Sequence, residues 1–305
     1  MDKILRIATR KSPLALWQAD FVKSQLQFYN PELKVELVKM STKGDRVQNT
    51  PLSKVGGKGL FIKELEIGIL EGRADIAVHS MKDVPYTIPN EFELGAILKR
   101  ENPFDAFVSN NFSHLDELPQ GARVGSCSLR RIVQIKSIRP DLTILDLRGN
   151  VNTRLMRLDS GKYDAIILAC AGLIRLGLDD RINKTIDVHT CLPAVGQGAL
   201  GIEIRKDDKY VKELIDPLID IKSTTTVLAE RAMNARLEGG CSVPIAGYAT
   251  TDGEELTLQG MVGNAQSGKI IRAKSTGSIS KPEVLGESLA NKLLTMGAKE
   301  LLENA

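Results

Sequence analysis

Residues 121–181 alternate three times between a short apolar strand and a helix. Strands are expected at residues 123–126, 143–147 and 164–169, and a helical pattern follows each of them. A helix between two strands of one sheet returns the chain to the starting end, so the strands are expected to be parallel. The pattern predicts an open α/β fold, which binds ligands at the carboxyl edge of its sheet.

All three strand-to-helix turns carry arginine. Arg130 and Arg131 follow the first, Arg148 and Arg154 flank the second, and Arg175 follows the third. Residues 121–181 contain eleven basic residues, nine of them arginine, and six acidic residues. The net charge of this segment is therefore +5, and the rest of the chain carries −2 of the total net charge of +3. The forked guanidinium suits carboxylate or phosphate recognition. The sequence therefore predicts an anion-binding edge, since solvation alone would not place arginine at every turn.

The first hundred residues show a similar alternation of predicted strands and helices. Residues 4–9 predict a strand, and Ser12 before Pro13 predicts the start of a helix that runs to about residue 28. Arg10 lies in this turn, where a helix N-terminus favours anions. The other elements predicted here are strands at 35–40, 74–79 and 93–98 and a helix at 61–71.

Residues 41–59 form a long glycine-rich segment made basic by Lys43, Arg46, Lys54 and Lys58. Such a segment in a compact domain is typical of a lid, here over an anionic ligand, although a solvated surface loop fits equally well. The spacing around Gly56 excludes a phosphate-binding P-loop.

Asp83 follows the strand predicted at residues 74–79, between Lys82 and Val84-Pro85. An acid at this point can line a cleft at the sheet edge. The alternative is that Asp83 only caps a turn.

Cys241 follows a Gly-Gly pair, which leaves little backbone bulk around its sulfur. A helix is expected over residues 223–236, with Ser223 as its N-cap and Gly239 in the left-handed position that ends it. Cys241 alone would be read as a small buried hydrophobe. The acid and the arginines elsewhere favour a reactive thiol instead.

The expected architecture is α/β, with two lobes joined by two crossings and a smaller α+β C-terminal domain. Residues 192–200 are expected to return the chain to the first lobe. The C-terminal domain is expected to contain three strands, at 245–250, 256–262 and 269–274, and a helix over 282–303. The predicted domains are residues 1–99 with 200–217, which carry Asp83 and the 41–59 lid, then 103–193, the arginine-rich lobe, and 222–305, which carry Cys241.

Three classes of function suit a basic cleft in such a fold. An extracellular anion receptor would need a signal peptide, and the N-terminus does not resemble one. Nucleic-acid binding would favour stacking aromatics, but aromatic residues are only 4% of the chain. An enzyme that acts on a polycarboxylate fits best, with guanidinium clamps, Asp83 as the acid and Cys241 as a covalent handle.

Seven motifs that span nearly the whole chain resemble those of the porphobilinogen deaminase (hydroxymethylbilane synthase) family. The two around Asp83 and Cys241 are the most specific, and the resemblance is weakest after residue 251. The motifs are Arg10-Lys11-Ser12-Pro13-Leu14-Ala15, Gly57-Lys58-Gly59-Leu60-Phe61, His79-Ser80-Met81-Lys82-Asp83-Val84-Pro85, Ser128-Leu129-Arg130-Arg131, Leu147-Arg148-Gly149-Asn150, Leu192-Pro193-Ala194-Val195-Gly196-Gln197-Gly198 and Leu237-Glu238-Gly239-Gly240-Cys241.

The resemblance implies a transferase of tetrapyrrole and heme biosynthesis that condenses four porphobilinogen molecules head to tail, with release of ammonia, into linear hydroxymethylbilane. It implies an α/β fold with two periplasmic-binding-protein-like lobes and a third domain that carries the cofactor cysteine. The implied cofactor is dipyrromethane, bound to Cys241 by a thioether. Asp83 would be the catalytic residue and would stabilise the positive charge that develops when ammonia leaves. The residues implied to bind the cofactor, besides Cys241, are Lys82, Ser128, Arg130, Arg131, Arg148 and Arg154; those implied to bind substrate are Arg10, Gln18, Phe61, Lys54, Lys58, Arg148, Arg154 and Arg175.

Cys127 departs from the family pattern, which has serine or threonine in this turn. The two alternatives for this thiol are that it is inert or that it makes the protein more sensitive to alkylation or oxidation. The four cysteines have no pairing motif, so reduced thiols and a cytoplasmic location are expected. We expect a monomer whose partner is the small-molecule substrate, without metal, nucleic acid or membrane.

Overall fold

The computed structural model describes residues 4–42, 44, 59–240 and 243–303. The chain divides into two compact units, the first made of Met1–Arg100 and Ala199–Thr224 and the second of Glu101–Gly198 and Thr225–Ala305. In the described ranges, every helix is too short or too polar to cross a bilayer.

The first unit is built around a five-stranded sheet with the order β2-β1-β3-β10-β4. Strands β1, β2 and β3 are parallel, and β10 runs antiparallel to both of its neighbours, β3 and β4. Numbered along the chain, the elements of this unit are β1 (Leu5–Arg10), α1 (Pro13–Tyr29), β2 (Val35–Met40), α2 (Lys63–Leu70), β3 (Ile76–Ser80), β4 (Phe92–Ile97), β10 (Leu200–Arg205) and α6 (Lys209–Ile215).

The second unit contains another five-stranded sheet, with the order β7-β6-β8-β5-β9. Strands β6, β7 and β8 are parallel, and β5 runs antiparallel to both β8 and β9. The elements of this part are β5 (Asp105–Val108), β6 (Arg123–Gly125), α3 (Leu129–Ile138), β7 (Thr143–Leu145), α4 (Val151–Asp159), β8 (Ala165–Ala169), α5 (Cys170–Arg175) and β9 (Lys184–Thr185).

The two sheets repeat one design. In each, the antiparallel strand is inserted between the third parallel strand and the edge strand. Each also pairs an arginine of its first parallel strand with an aspartate just before its third: Arg6 with Asp75, and Arg123 with Asp164. Because the inserted strand is antiparallel, it enters the sheet at the carboxyl edge of the parallel strands.

The C-terminal part of the second unit packs two helices and the end of a third against a three-stranded antiparallel sheet. Its core includes Met233, Leu258 and Leu289, and Met261 of this sheet also contacts Val133 of α3. The elements are α7 (Ile221–Arg236), β11 (Ile245–Asp252), β12 (Glu255–Gly263), β13 (Ile270–Ser278), α8 (Pro282–Thr295) and α9 (Ala298–Glu303).

The predicted fold class is confirmed, with two α/β sheets of matching topology and a small C-terminal sheet. The Ser12 cap is also confirmed, because its side chain accepts the backbone N–H of Ala15. The cap predicted at Ser223 is wrong. Helix α7 begins two residues earlier, Asp220 accepts the N–H of Ser223, and the Ser223 hydroxyl accepts the N–H of Arg100.

Two further predictions about the C-terminal part are wrong. Glu238, with φ 54°, takes the left-handed position expected of Gly239. Gly239 instead packs closely against Asn234, whose side-chain oxygen would have to move to admit a Cβ at position 239. The helix predicted over residues 282–303 is interrupted at Gly297, whose φ of +97° ends α8 before α9 begins.

Candidate functional site

At the carboxyl edge of the first sheet, the ends of β1 and β3 lie side by side, because these strands are direct neighbours. Arg10 is the last residue of β1, and its guanidinium carbon lies 4.2 Å from the centroid of the Phe61 ring. At this distance a cation–π contact orients both side chains. The structure therefore brings together two residues that the sequence predicted separately.

Asp83 ends the short 3-10 turn Met81–Asp83, directly after β3. Its side chain is half-buried, as is that of Lys82, whereas Met81 is buried and anchors the turn. Gln18 reaches this turn from α1 and donates a hydrogen bond to the Ser80 hydroxyl, at 2.8 Å. Within the described part of the chain, the Asp83 carboxylate forms no hydrogen bond or ion pair. It thus sits on an anchored turn, available to a ligand.

A buried group of titratable side chains lies in the same unit and was not predicted. His79 and Glu203 are 5% and 2% exposed, and His79 Nε2 lies 2.8 Å from Glu203 Oε2. Burial, together with the nearby Glu203 carboxylate, raises the pKa of Glu66 to about 7. The available sequence signal was His79, which occurs in the same motif as Asp83.

At the carboxyl edge of the second sheet, the turn Ser126-Cys127-Ser128 joins β6 to α3. Ser128 is the N-cap residue of α3, and its backbone N–H donates to the Ser126 hydroxyl at 3.3 Å. The side chains of Cys127 and Ser128 are both half-buried.

Arg130 and Arg131 are buried at 5% and 6% exposure and converge on one fully buried carboxylate, that of Asp105. The ion-pair distances to Asp105 are 2.8 Å from Arg130 and 2.6 Å from Arg131. Burial would raise the pKa of Asp105, but the two guanidiniums hold it well below its usual range. The Cys191 thiol beside them has its pKa raised to about 12, chiefly by burial, so it is neutral. Two positive charges are therefore buried with a single negative one.

The other predicted arginines lie on the next two turns. Arg148 donates to Asp146 at 3.0 Å, and Arg154 donates to the Gly149 carbonyl at 2.8 Å. Arg175 is buried and donates to the Gly198 carbonyl at 2.6 Å, and burial lowers its pKa to about 10. Oriented guanidiniums thus follow all three parallel strands of this sheet.

Some predicted site residues lie outside the described residues, namely Cys241, Lys54 and Lys58, together with most of the 41–59 segment. Asp105 was missed by the sequence reasoning. Its signal was weak: an acid at the start of the strand Asp105–Val108, whose other three residues are apolar.

The sequence matches two family models. "Porphobilinogen deaminase, dipyromethane cofactor binding domain" matches residues 5–213, and "Porphobilinogen deaminase, C-terminal domain" matches residues 224–295. Over 304 residues the chain is 64% identical to proteins named porphobilinogen deaminase from Vesicomyosocius okutanii and Ruthia magnifica, with 100% of each chain covered.

Solved structures with a similar backbone include the VFT2 domain of Bordetella pertussis BvgS, at 14% identity and a TM-score of 0.43, over 70% of this chain and 85% of that one. A nutrient-binding protein of Burkholderia cenocepacia, solved with bound methionine, is similar at 16% identity and a TM-score of 0.43, over 70% of this chain and 90% of that one.

Proposed function

Because this chain belongs to the porphobilinogen deaminase family, we propose that it condenses four porphobilinogen molecules head to tail into linear hydroxymethylbilane, with release of ammonia at each addition. It is accordingly a transferase of tetrapyrrole biosynthesis. The observation that carries the proposal is the buried excess of positive charge at the second sheet, where Arg130 and Arg131 share Asp105.

That excess favours a small polycarboxylate over the other ligand classes. A buried charge without a counter-ion costs several kcal/mol, roughly, and a bound carboxylate offsets this cost. Nucleic-acid phosphates, in contrast, are bound mainly by exposed lysine and arginine side chains. Each porphobilinogen unit carries an acetate and a propionate, so the growing product needs several guanidiniums in one place.

The same residues fit the dipyrromethane cofactor, for whose binding domain the first matching family model is named. Its two pyrroles carry four carboxylates in total, and the residues proposed to bind them are Lys82, Ser128, Arg130, Arg131, Arg148 and Arg154. When bound, this group supplies a terminal pyrrole at which chain growth starts. Cys241 is proposed to hold it through a thioether.

Asp83 is proposed as the catalytic residue. Its half-buried carboxylate can accept the pyrrole N–H of the substrate and stabilise the positive charge that develops on the ring as ammonia leaves. Arg10, Gln18, Arg148, Arg154 and Arg175 are proposed to bind substrate carboxylates. Phe61 is proposed to pack against a pyrrole, with Lys54 and Lys58 in a lid over the ligand.

We further propose three domains with the boundaries given above, and a cytoplasmic monomer that acts without nucleic acid or membrane. Light scattering of the purified protein at micromolar concentration tests the monomer, and a dimer mass would refute it.

The function is tested by the intact mass of the purified protein and of two variants. The wild type should carry an adduct of two pyrrole units and react with Ehrlich's reagent. Cys241→Ala should fold and lack the adduct, whereas Asp83→Ala should keep it and lose turnover by about a hundredfold or more. A bare wild-type mass would favour the receptor or nucleic-acid readings, and near-normal product from either variant would defeat the assignment.

A further inference from the structure

The Asp105 carboxylate receives five donors although it is fully buried. Oδ1 accepts from Arg131 Nε at 3.0 Å, Arg131 Nη2 at 2.6 Å and Gln197 Nε2 at 3.0 Å. Oδ2 lies 2.8 Å from Arg130 Nη1 and accepts from the Cys191 thiol at 3.4 Å. This carboxylate is therefore fixed from several directions.

Asp105 holds its two arginines differently. All three side-chain nitrogens of Arg131 are engaged, because Nη1 donates to the Ile167 carbonyl while Nε and Nη2 donate to Asp105. Arg130 is held by Nη1 alone, which also donates to the Leu192 carbonyl at 2.6 Å. Among the described residues, Nε and Nη2 of Arg130 therefore remain available to a further carboxylate.

The topology explains how an acid reaches this position. Strand β5 is antiparallel to β8, and Asp105 is paired with Ala169, the last residue of β8. The first residue of β5 therefore lies at the carboxyl edge of the parallel strands, next to the helix that begins after β6. An acid at the other end of β5 would face the opposite edge of the sheet.

We propose that Asp105 is a positioning residue for the cofactor site: it fixes the Arg130 and Arg131 side chains so that the open edge of Arg130 receives a cofactor carboxylate. This inference rests on the proposed function, in which these arginines bind dipyrromethane. Asp105 acts before the ligand arrives, because it orders two long side chains that would otherwise lose rotamer freedom on binding. It also reduces two buried positive charges to one, which matches one carboxylate.

The test measures how fast cofactor-free full-length protein gains the two-pyrrole adduct when it is incubated with porphobilinogen, followed by intact mass. Asp105→Asn should load at least about tenfold more slowly than wild type, because small displacements of clamping groups cost that much or more. The matched control is Asp164→Asn, which breaks an aspartate–arginine pair at the opposite edge of the same sheet. All variants are compared below the thermal midpoint of the least stable one, so a purely structural loss leaves the loading rate of the folded protein unchanged.

Asp105→Glu covers the case in which Asp105→Asn does not fold, because it keeps the charge but lengthens the side chain by one carbon. It should load at a rate between those of wild type and Asp105→Asn, and at least about threefold more slowly than the control. Loading at the control rate by every folded Asp105 variant would overturn the proposal. Arg130→Gln distinguishes the proposed binding role of Arg130 from the proposed positioning role of Asp105. If it loads normally, the proposed role of Arg130 fails; if it loads slowly while the Asp105 variants load normally, only the positioning role fails.

Discussion

Replacing Glu66 by glutamine should make the first unit less sensitive to pH. Burial, together with the charge and hydrogen bond of Glu203, raises the pKa of Glu66 from 4.5 to about 7 in the folded protein, while His79 and Lys63 oppose the shift. The folded state therefore binds the proton more tightly than the unfolded state does. The resulting stability is complete below pH 4.5 and is lost as the pH rises to about 7.

The shift sets an upper limit on this effect. A difference of roughly 2.5 pKa units corresponds to about 3.4 kcal/mol. Because Glu66 is only half-buried, solvent screening reduces the expected effect to about 1–2 kcal/mol. Glutamine is always uncharged, so Glu66→Gln should match wild type at pH 4.5 and exceed it by that amount at pH 8.

The assay is urea unfolding followed by the fluorescence of Trp17, which is the only tryptophan of the chain and lies on α1 in the same unit. Transition midpoints are compared at pH 4.5, 6 and 8 for wild type, Glu66→Gln and Glu32→Gln, a substitution at an exposed site. A difference between Glu66→Gln and wild type that is the same at all three pH values would refute the reasoning.

Two further substitutions and one labelling experiment test local features. Gly149→Ala should lower the free energy of unfolding in urea by about 1–3 kcal/mol, because φ is +100° and a Cβ would lie 2.8 Å from the Thr153 methyl group. It should also slow turnover, since the Gly149 carbonyl accepts a hydrogen bond from Arg154. An unchanged free energy of unfolding would contradict the first expectation. Glu230→Ala should lower the free energy of unfolding by about 2–5 kcal/mol, because the buried carboxylate accepts hydrogen bonds from two backbone N–H groups at 2.7 and 2.8 Å. Calorimetry measures this decrease, and a decrease below about 1 kcal/mol would contradict the expectation. Iodoacetamide should label Cys127 faster than Cys170 and Cys191, because burial raises the pKa of those two thiols to about 11 and 12. Peptide mapping measures the labelling rate of each cysteine, and equal rates would show that Cys127 is shielded.

Local patterns predicted most strands and helices because their signals lie within a few residues. The Ser12-Pro13 start of α1 is an example. The prediction failed at Ser223 because Asp220, three residues earlier, is an equally good cap. Asp220, rather than Ser223, accepts the backbone N–H at the start of α7 because the Ser223 hydroxyl is engaged in a tertiary contact with Arg100.

The candidate site was predictable as a set of residue types but not as a network. Arginine at each strand-to-helix turn was visible in the sequence. The burial of Arg130 and Arg131 against Asp105 was not, because it depends on strand β5 being inserted antiparallel beside β8. Sequence spacing cannot reveal such a neighbour, since it comes from a strand about 25 residues earlier in the chain.

The insertion of β10 between β3 and β4 also constrains the order of folding during synthesis. All five strands of the second sheet lie within residues 105–185, whereas the first sheet must wait for residues 200–205 to separate β3 from β4. A nascent chain of about one hundred residues would expose two unpaired strand edges, which favour aggregation. Of the two five-stranded sheets, the one that starts first along the chain is thus completed second on the ribosome, and the strand edges that it leaves open are where a chaperone would act.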